Sequence, residues 1–120
     1  MAGAQTLPQL DLPADVAREV QAALATILEI AHPLLVILFG SHAQGCARGD
    51  SDLDLLVVVD TPERRELGAQ LEVALLDVLG DREFDLLVRT PAEWEDGRRI
   101  IGFASYQADR RGVRLYERAA

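Results

Sequence analysis

The order of apolar and polar residues along the chain predicts alternating helices and strands. After Pro13, which suits the first turn of a helix, apolar side chains recur at helical spacing. These positions are Val16, Val20, Ala23, Ile27 and Ala31. The helix should end at His32, because a residue that precedes a proline avoids the α region. Residues 34–39 and 52–59 are almost entirely apolar and predict two buried strands.

The second half of the chain continues this alternation. Thr61 and Pro62 predict the N-cap and first turn of a helix that ends at Gly80. Its buried stripe is expected at Leu67, Leu71, Ala74, Leu75 and Val78. Residues 83–90 predict a third strand, and a capping box from Thr90 to Glu93 then begins a third helix. That helix is expected to carry Trp94, Ile101 and Ala104, and a short strand around residues 114–116 closes the sheet.

The element order predicts an α/β (α+β) fold with a small mixed β-sheet flanked by helices. The second and third strands are separated by roughly twenty helical residues, which suits a right-handed parallel crossover. The short link between Gly40 and Ser51 suits antiparallel neighbours. We expect residues 1–120 to form one domain in which residues 1–12 are a loose arm.

Charge and composition restrict the classes of binding partner that the chain is expected to have. The chain has 120 residues with 12 basic and 20 acidic side chains, a net charge of −8. Such a surface repels phosphate backbones, so direct nucleic-acid binding is not expected, whereas a basic protein partner is suited. One cysteine, no leader-like start and no long apolar run predict a cytoplasmic protein without membrane contact. The composition leaves a homo-oligomer open.

Three aspartates mark the candidate chemistry. Asp52 and Asp54 lie two apart on a strand and share a face, and parallel pairing should bring Asp85 beside them. Asp81 or Glu83 could supply the third acid instead. Crowded carboxylates raise one pKa unless a cation neutralises them, and hard oxygen ligands suit Mg²⁺. Two such ions about 3.5–4 Å apart can serve phosphoryl or nucleotidyl transfer.

The glycine-rich loop predicts a phosphate site. Gly40 and Ser41 follow a strand and offer backbone N–H groups and a hydroxyl. A Walker A loop fails because Cys46 stands where lysine is needed. An EF-hand beginning at Asp50 fails because Leu55 and Thr61 occupy its glycine and glutamate positions. A haloacid-dehalogenase-type site is a poor match, since its D-x-D follows the apolar strand.

These residues resemble a known family. Gly40-Ser41, followed ten residues later by Ser51-Asp52-Leu53-Asp54-Leu55, is similar to the G-S…S-D-x-D-L motif of DNA polymerase β-like nucleotidyltransferases. Phe84-Asp85-Leu86 is similar to the segment that carries their third carboxylate. The short chain resembles the minimal nucleotidyltransferase (MNT) branch, whose members act as antitoxins beside HEPN-type toxins.

The resemblance implies a role for each residue. Asp52, Asp54 and Asp85 would bind two Mg²⁺ ions and be catalytic, with Asp85 also helping to deprotonate the attacking hydroxyl. Gly40 and Ser41 would bind the triphosphate of ATP, with Ser51 in support. The acceptor would be a hydroxyl of a HEPN-type ribonuclease toxin. Many relatives have an arginine at the position of Gln44.

Two alternatives remain at this point. The chain could be a non-catalytic antitoxin that acts by complex formation, or an aminoglycoside-type enzyme that modifies a small cationic molecule. Several other residues have structural interpretations. His42 is expected at a helix start or on the surface, Trp94 and Tyr106 in packing, and Arg98, Arg99, Arg110 and Arg111 on a solvated helix face.

Overall fold

The structure, a computed structural model, describes residues 12–48 and 50–119. Its elements are α1 (Ala14–Ala31), β1 (Leu35–Phe39), α2 (Ser41–Gln44), β2 (Leu53–Val58), α3 (Arg64–Leu79), β3 (Phe84–Arg89), α4 (Pro91–Gly97), α5 (Ala104–Arg111) and β4 (Val113–Glu117). The predicted loose arm lies outside the described residues except for Leu12, which packs against the core. No helix in the described ranges has the length and apolar character needed to cross a membrane.

The four strands form one mixed sheet in the order β3-β2-β1-β4. β1 pairs antiparallel with β2 and with β4, whereas β2 and β3 are parallel. Both predicted pairings, antiparallel across the short loop and parallel across the long helical crossover, are confirmed. The predicted fold class, a small mixed sheet flanked by helices, is confirmed as well.

Alternation along the strands divides the core between the two faces of the sheet. One face packs against α1 and α3 and includes Val36, Leu38, Leu55 and Val57. The opposite face, here called the α4/α5 face, includes Leu35, Ile37, Leu56, Val58, Trp94 and Ala108. Because side chains two apart on a strand share a face, Asp54 lies on the α4/α5 face with Leu56 and Val58.

The helices depart from the sequence prediction in two places. The predicted third helix is divided into α4 and α5, with Gly102 at φ 100 in the connection, and Ile101 is 81% exposed rather than buried. α3 begins at Arg64, because the Thr61 hydroxyl accepts a hydrogen bond from the Glu63 N–H and forms a turn first. Val78 is 40% exposed, and Leu79 takes its place in the buried stripe.

Candidate active site

The parallel pairing of β2 and β3 places two carboxylates together. Asp54 and Asp85 are direct partners in the register, each near the start of its strand. The two carboxyl groups are close enough for Asp85 to raise the pKa of Asp54. Asp85 is exposed and Asp54 is partly buried. The predicted convergence of these two residues is therefore present.

The environment of Asp54 raises its pKa from 3.8 to about 6. Burial of the carboxyl group is the largest cause, followed by the charge of Asp85 and the shared hydrogen bond. The charge of Asp52 adds to the shift, and His42 opposes it. The Asp54 carboxyl group is therefore stabilised by binding either a proton or a metal cation.

Asp52 occupies a different setting from Asp54. It precedes β2, is exposed, and acts on Asp54 through its charge. Among the residues that the structure describes, no three His, Cys, Asp or Glu side chains form a group ready to hold a metal ion. The pair of Asp54 and Asp85 does fit a divalent cation, because hard carboxylate oxygens are suitable ligands and the raised pKa of Asp54 shows that positive charge is favoured there.

Gly40 forms the second side of the site. Its φ of +79 and ψ of −156 lie in a region that side-chain-bearing residues rarely adopt. A Cβ atom at this position would stand 2.1 Å from Oδ2 of Asp54. Glycine is therefore required both by the backbone conformation and by the close approach to the carboxylate. The predicted juxtaposition of Gly40 and the acidic pair is present.

Ser41 and Ser51 differ in their surroundings. Ser41 begins α2, and its hydroxyl has no hydrogen-bond partner among the described residues. The Ser51 hydroxyl instead accepts a hydrogen bond from the Arg48 N–H at 2.8 Å. Ser51 thus shapes the loop before β2, while the Ser41 hydroxyl is available to a ligand.

His42 is a functional-site residue whose setting the sequence did not reveal. His42 lies in the short helix α2, which confirms the predicted position at a helix start. It is only 4% exposed, so the alternative prediction of a surface position is wrong. Its Nε2 lies 2.9 Å from the Ser51 carbonyl oxygen. Since a carbonyl oxygen only accepts, Nε2 carries a proton, and the buried Nδ1 has no hydrogen-bond partner in the described structure.

Arg82 reaches the same Ser51 carbonyl from the β3 side. Its Nη1 donates to that oxygen at 3.2 Å, and its guanidinium pairs with Glu19 of α1 at 2.9 Å. The Arg82 side chain is only 8% exposed. The Ser51 carbonyl therefore connects α2, α1 and the β3 entry, and it fixes the loop directly before Asp52. The only sign of this role in the sequence is that Arg82 stands two residues before the third strand.

Comparisons with known proteins agree with this geometry. A family model described as a nucleotidyltransferase domain matches residues 18–109. A toxin–antitoxin crystal structure with AMP-PNP has a chain of similar fold, with a TM-score of 0.52 and 24% identity over 81% of this chain and 72% of that chain. The structure of a candidate nucleotidyltransferase is similar with a TM-score of 0.51 and 21% identity, over 89% of this chain and 100% of that one. These identities establish likeness of fold alone, and among curated proteins none matches the chain.

Proposed function

The chain belongs to the nucleotidyltransferase domain family, and we propose that it transfers AMP from ATP to a hydroxyl group of a partner protein. The observation that carries the proposal is the contact between Asp54 and Asp85 directly beside Gly40. The two carboxyl groups lie beside the Gly40 backbone and the free Ser41 hydroxyl, which can donate hydrogen bonds to phosphate oxygens. This combination suits transfer at a phosphorus atom.

Divalent magnesium is the cofactor that the carboxylates would hold. Asp54 and Asp85 are the principal ligands in this proposal, and exposed Asp52 completes the set. When bound, the metal supplies positive charge that neutralises the carboxylates and polarises the phosphate oxygens. The raised pKa of Asp54 supports the assignment, because a cation relieves the same repulsion that otherwise retains a proton.

The remaining roles follow from position and exposure. Gly40 and Ser41 bind the phosphate chain, and Ser51 holds their loop against the start of β2. Asp85, exposed and beside Asp54, accepts the proton of the attacking hydroxyl. The hydroxyl oxygen then forms a bond to the α-phosphorus as the bond to the β-phosphate oxygen breaks. Pyrophosphate leaves with that electron pair.

We assign the acceptor to a HEPN-type toxin ribonuclease, modified on a tyrosine hydroxyl, so that the chain acts as its antitoxin. The similarity of fold to a toxin–antitoxin chain supports this partner. The net charge of −8 also suits a basic protein surface. The sequence resemblance to minimal nucleotidyltransferases points to the same pairing.

Label transfer tests the proposal. The protein is incubated with Mg²⁺, a HEPN-type toxin and ATP labelled on either the α- or the γ-phosphate. We expect the α-label and not the γ-label on the toxin, and no labelling by the Asp52→Asn/Asp54→Asn variant. Asp60→Asn, an exposed change at the opposite end of β2, is the matched control and should label normally. Full labelling by the double variant would overturn the assignment.

Antitoxin action without catalysis is the second candidate, favoured by the acidic surface. It predicts that the same double variant, although unable to label the toxin, still protects cells that express it.

A further inference from the structure

The Asp52 carboxylate has no side-chain contact that fixes its position. It is exposed, and within residues 12–48 and 50–119 it forms no hydrogen bond or ion pair. Its position therefore depends on the backbone that carries it. A metal ligand of this kind is placed only as precisely as the peptide groups on either side of it.

Both peptide groups that flank Asp52 are held by the segment that leads into β3. On one side, the Ser51 carbonyl oxygen accepts a hydrogen bond from Arg82 Nη1 at 3.2 Å. On the other side, the Leu53 N–H donates to the Glu83 carbonyl oxygen at 3.0 Å. Residues 82 and 83 thus fix the backbone directly before and directly after Asp52. One of these contacts is made by a side chain and can be changed by substitution.

The Arg82 side chain is itself held in place by α1. It is only 8% exposed, and its Nε and Nη2 lie 3.0 Å and 2.9 Å from Oε1 of Glu19. Asp15, one turn earlier on α1, lies 3.9 Å from Nη2. A buried guanidinium is costly unless opposite charges and hydrogen bonds satisfy it, and here two carboxylates and a carbonyl oxygen do so. Helix α1 therefore supports the loop before Asp52 through Arg82.

The planar shape of a guanidinium suits this task. Nη1 of Arg82 reaches Ser51 while Nε and Nη2 bind Glu19, so one rigid group sets the distance between α1 and the loop. A lysine ammonium is a compact charge on a flexible stem and cannot make both contacts with the same rigidity. Well-packed apolar side chains can often replace a buried ion pair with little loss of stability. Placement of the loop, rather than stability, therefore accounts for this pair.

We propose that Arg82 is a positioning residue for Asp52. By holding the Ser51 carbonyl, it keeps the Asp52 carboxylate where it can complete the divalent-metal site. This inference rests on the proposed function and deepens it, because it names the residue through which the third ligand is placed. The same segment continues into β3 and carries Asp85, three residues after Arg82. One segment thus places two of the three carboxylates.

Metal binding by Arg82 variants tests the inference. Mn²⁺ is titrated into the full chain with a non-hydrolysable ATP analogue, well below the melting temperature of the least stable variant, and followed by electron paramagnetic resonance. Arg82→Met removes the guanidinium, and we expect Mn²⁺ affinity to fall about 10- to 100-fold. Arg82→Lys keeps the charge and should recover part of this loss. The matched control is Arg64→Met, which removes an arginine paired with Glu93 at 2.7 Å and should bind Mn²⁺ like the wild type.

A double variant separates placement of the loop from stability. Arg82→Met leaves the Glu19 carboxylate without this partner, so it should also lower the melting temperature. Arg82→Met/Glu19→Leu removes both members of the pair and should melt closer to the wild type, yet bind Mn²⁺ as weakly as Arg82→Met. If the double variant regains Mn²⁺ affinity, Arg82 acts through stability alone and the inference is wrong.

The remaining outcomes separate the inference from the function on which it rests. If the wild type binds Mn²⁺ and labels its acceptor but Arg82→Met binds Mn²⁺ equally well, the positioning role is wrong and the transferase stands. An equal loss in Arg64→Met also overturns the role, because the removal of any paired arginine then has the same effect. If the wild type itself binds no Mn²⁺, both proposals fail.

Discussion

Replacing Asp54 with asparagine is expected to stabilise the folded protein at neutral pH while it abolishes transfer. The pKa of Asp54 is raised from 3.8 to about 6 by burial and by the neighbouring carboxylates. Between these two pH values the folded state binds a proton that the unfolded state has released. Stability therefore falls as the pH rises through this window, and the penalty is complete above pH 6.

The size of the effect follows from the shift. A displacement of about two pKa units corresponds to about 3 kcal/mol for a fully shielded group. Asp54 is only partly buried, so solvent screening reduces this to about 1–2 kcal/mol. Asp54→Asn removes the charge and keeps the shape of the side chain. It should raise the melting temperature by roughly 5–10 °C at pH 7.5 and change it little at pH 4.

Thermal unfolding in the presence of a chelator measures the difference directly. Wild type, Asp54→Asn and the exposed control Asp60→Asn are compared at pH 4 and at pH 7.5. We predict a stability gain for Asp54→Asn alone, and only at the higher pH. If Asp54→Asn is instead less stable than the wild type at pH 7.5, Asp54 contributes favourable contacts rather than repulsion, and the prediction is wrong.

Substitutions at Gly40, His42 and Thr90, with their controls, test the surrounding structure. Gly40→Ala should lose about 1–3 kcal/mol of stability in urea unfolding and abolish transfer, because the added methyl displaces the neighbouring carboxyl group. Gly45→Ala is the control, since Gly45 has φ +75 but nothing within 4 Å of the added atom; it should lose about 1 kcal/mol and retain transfer. Equal transfer activity of Gly40→Ala and Gly45→Ala would contradict the close approach of Gly40 to Asp54. His42→Ala should raise the KM for ATP more than it lowers kcat, because the Ser51 carbonyl loses a donor, and His42→Gln should restore part of the KM; a kcat effect alone would oppose this role. Thr90→Ala breaks the capping box of α4 and should cost about 1 kcal/mol in chemical unfolding without changing kcat/KM; an unchanged stability would show that the cap is dispensable.

Much of the sheet could be predicted from the sequence because connection length restricts strand direction. The link between β1 and β2 holds only the four-residue helix α2, which suits antiparallel neighbours, whereas the segment between β2 and β3 holds the sixteen-residue helix α3. The parallel pairing of β2 and β3 brings Asp85 to Asp54. The Thr90 capping box was also predictable, since its two hydrogen bonds involve residues only three apart.

The predictions that failed concern features that local sequence patterns do not determine. The burial of His42 depends on the Ser51 carbonyl, and that oxygen also binds Arg82 from another part of the chain. No local pattern encodes such a contact. Gly102 indicated a weak point between α4 and α5, but the helical spacing of Trp94 and Ile101 favoured one continuous helix. Periodicity alone does not show where a helix stops.

Divalent-metal binding is the decisive test of the Asp54 and Asp85 pair. Mn²⁺, a paramagnetic substitute for Mg²⁺, is titrated into the protein with a non-hydrolysable ATP analogue at pH 7.5, and bound ion is followed by electron paramagnetic resonance. We predict saturable Mn²⁺ binding to the wild type that Asp54→Asn and Asp85→Asn each abolish and Asp60→Asn retains. Equal Mn²⁺ binding by the wild type and Asp54→Asn would contradict a metal-dependent site at this pair.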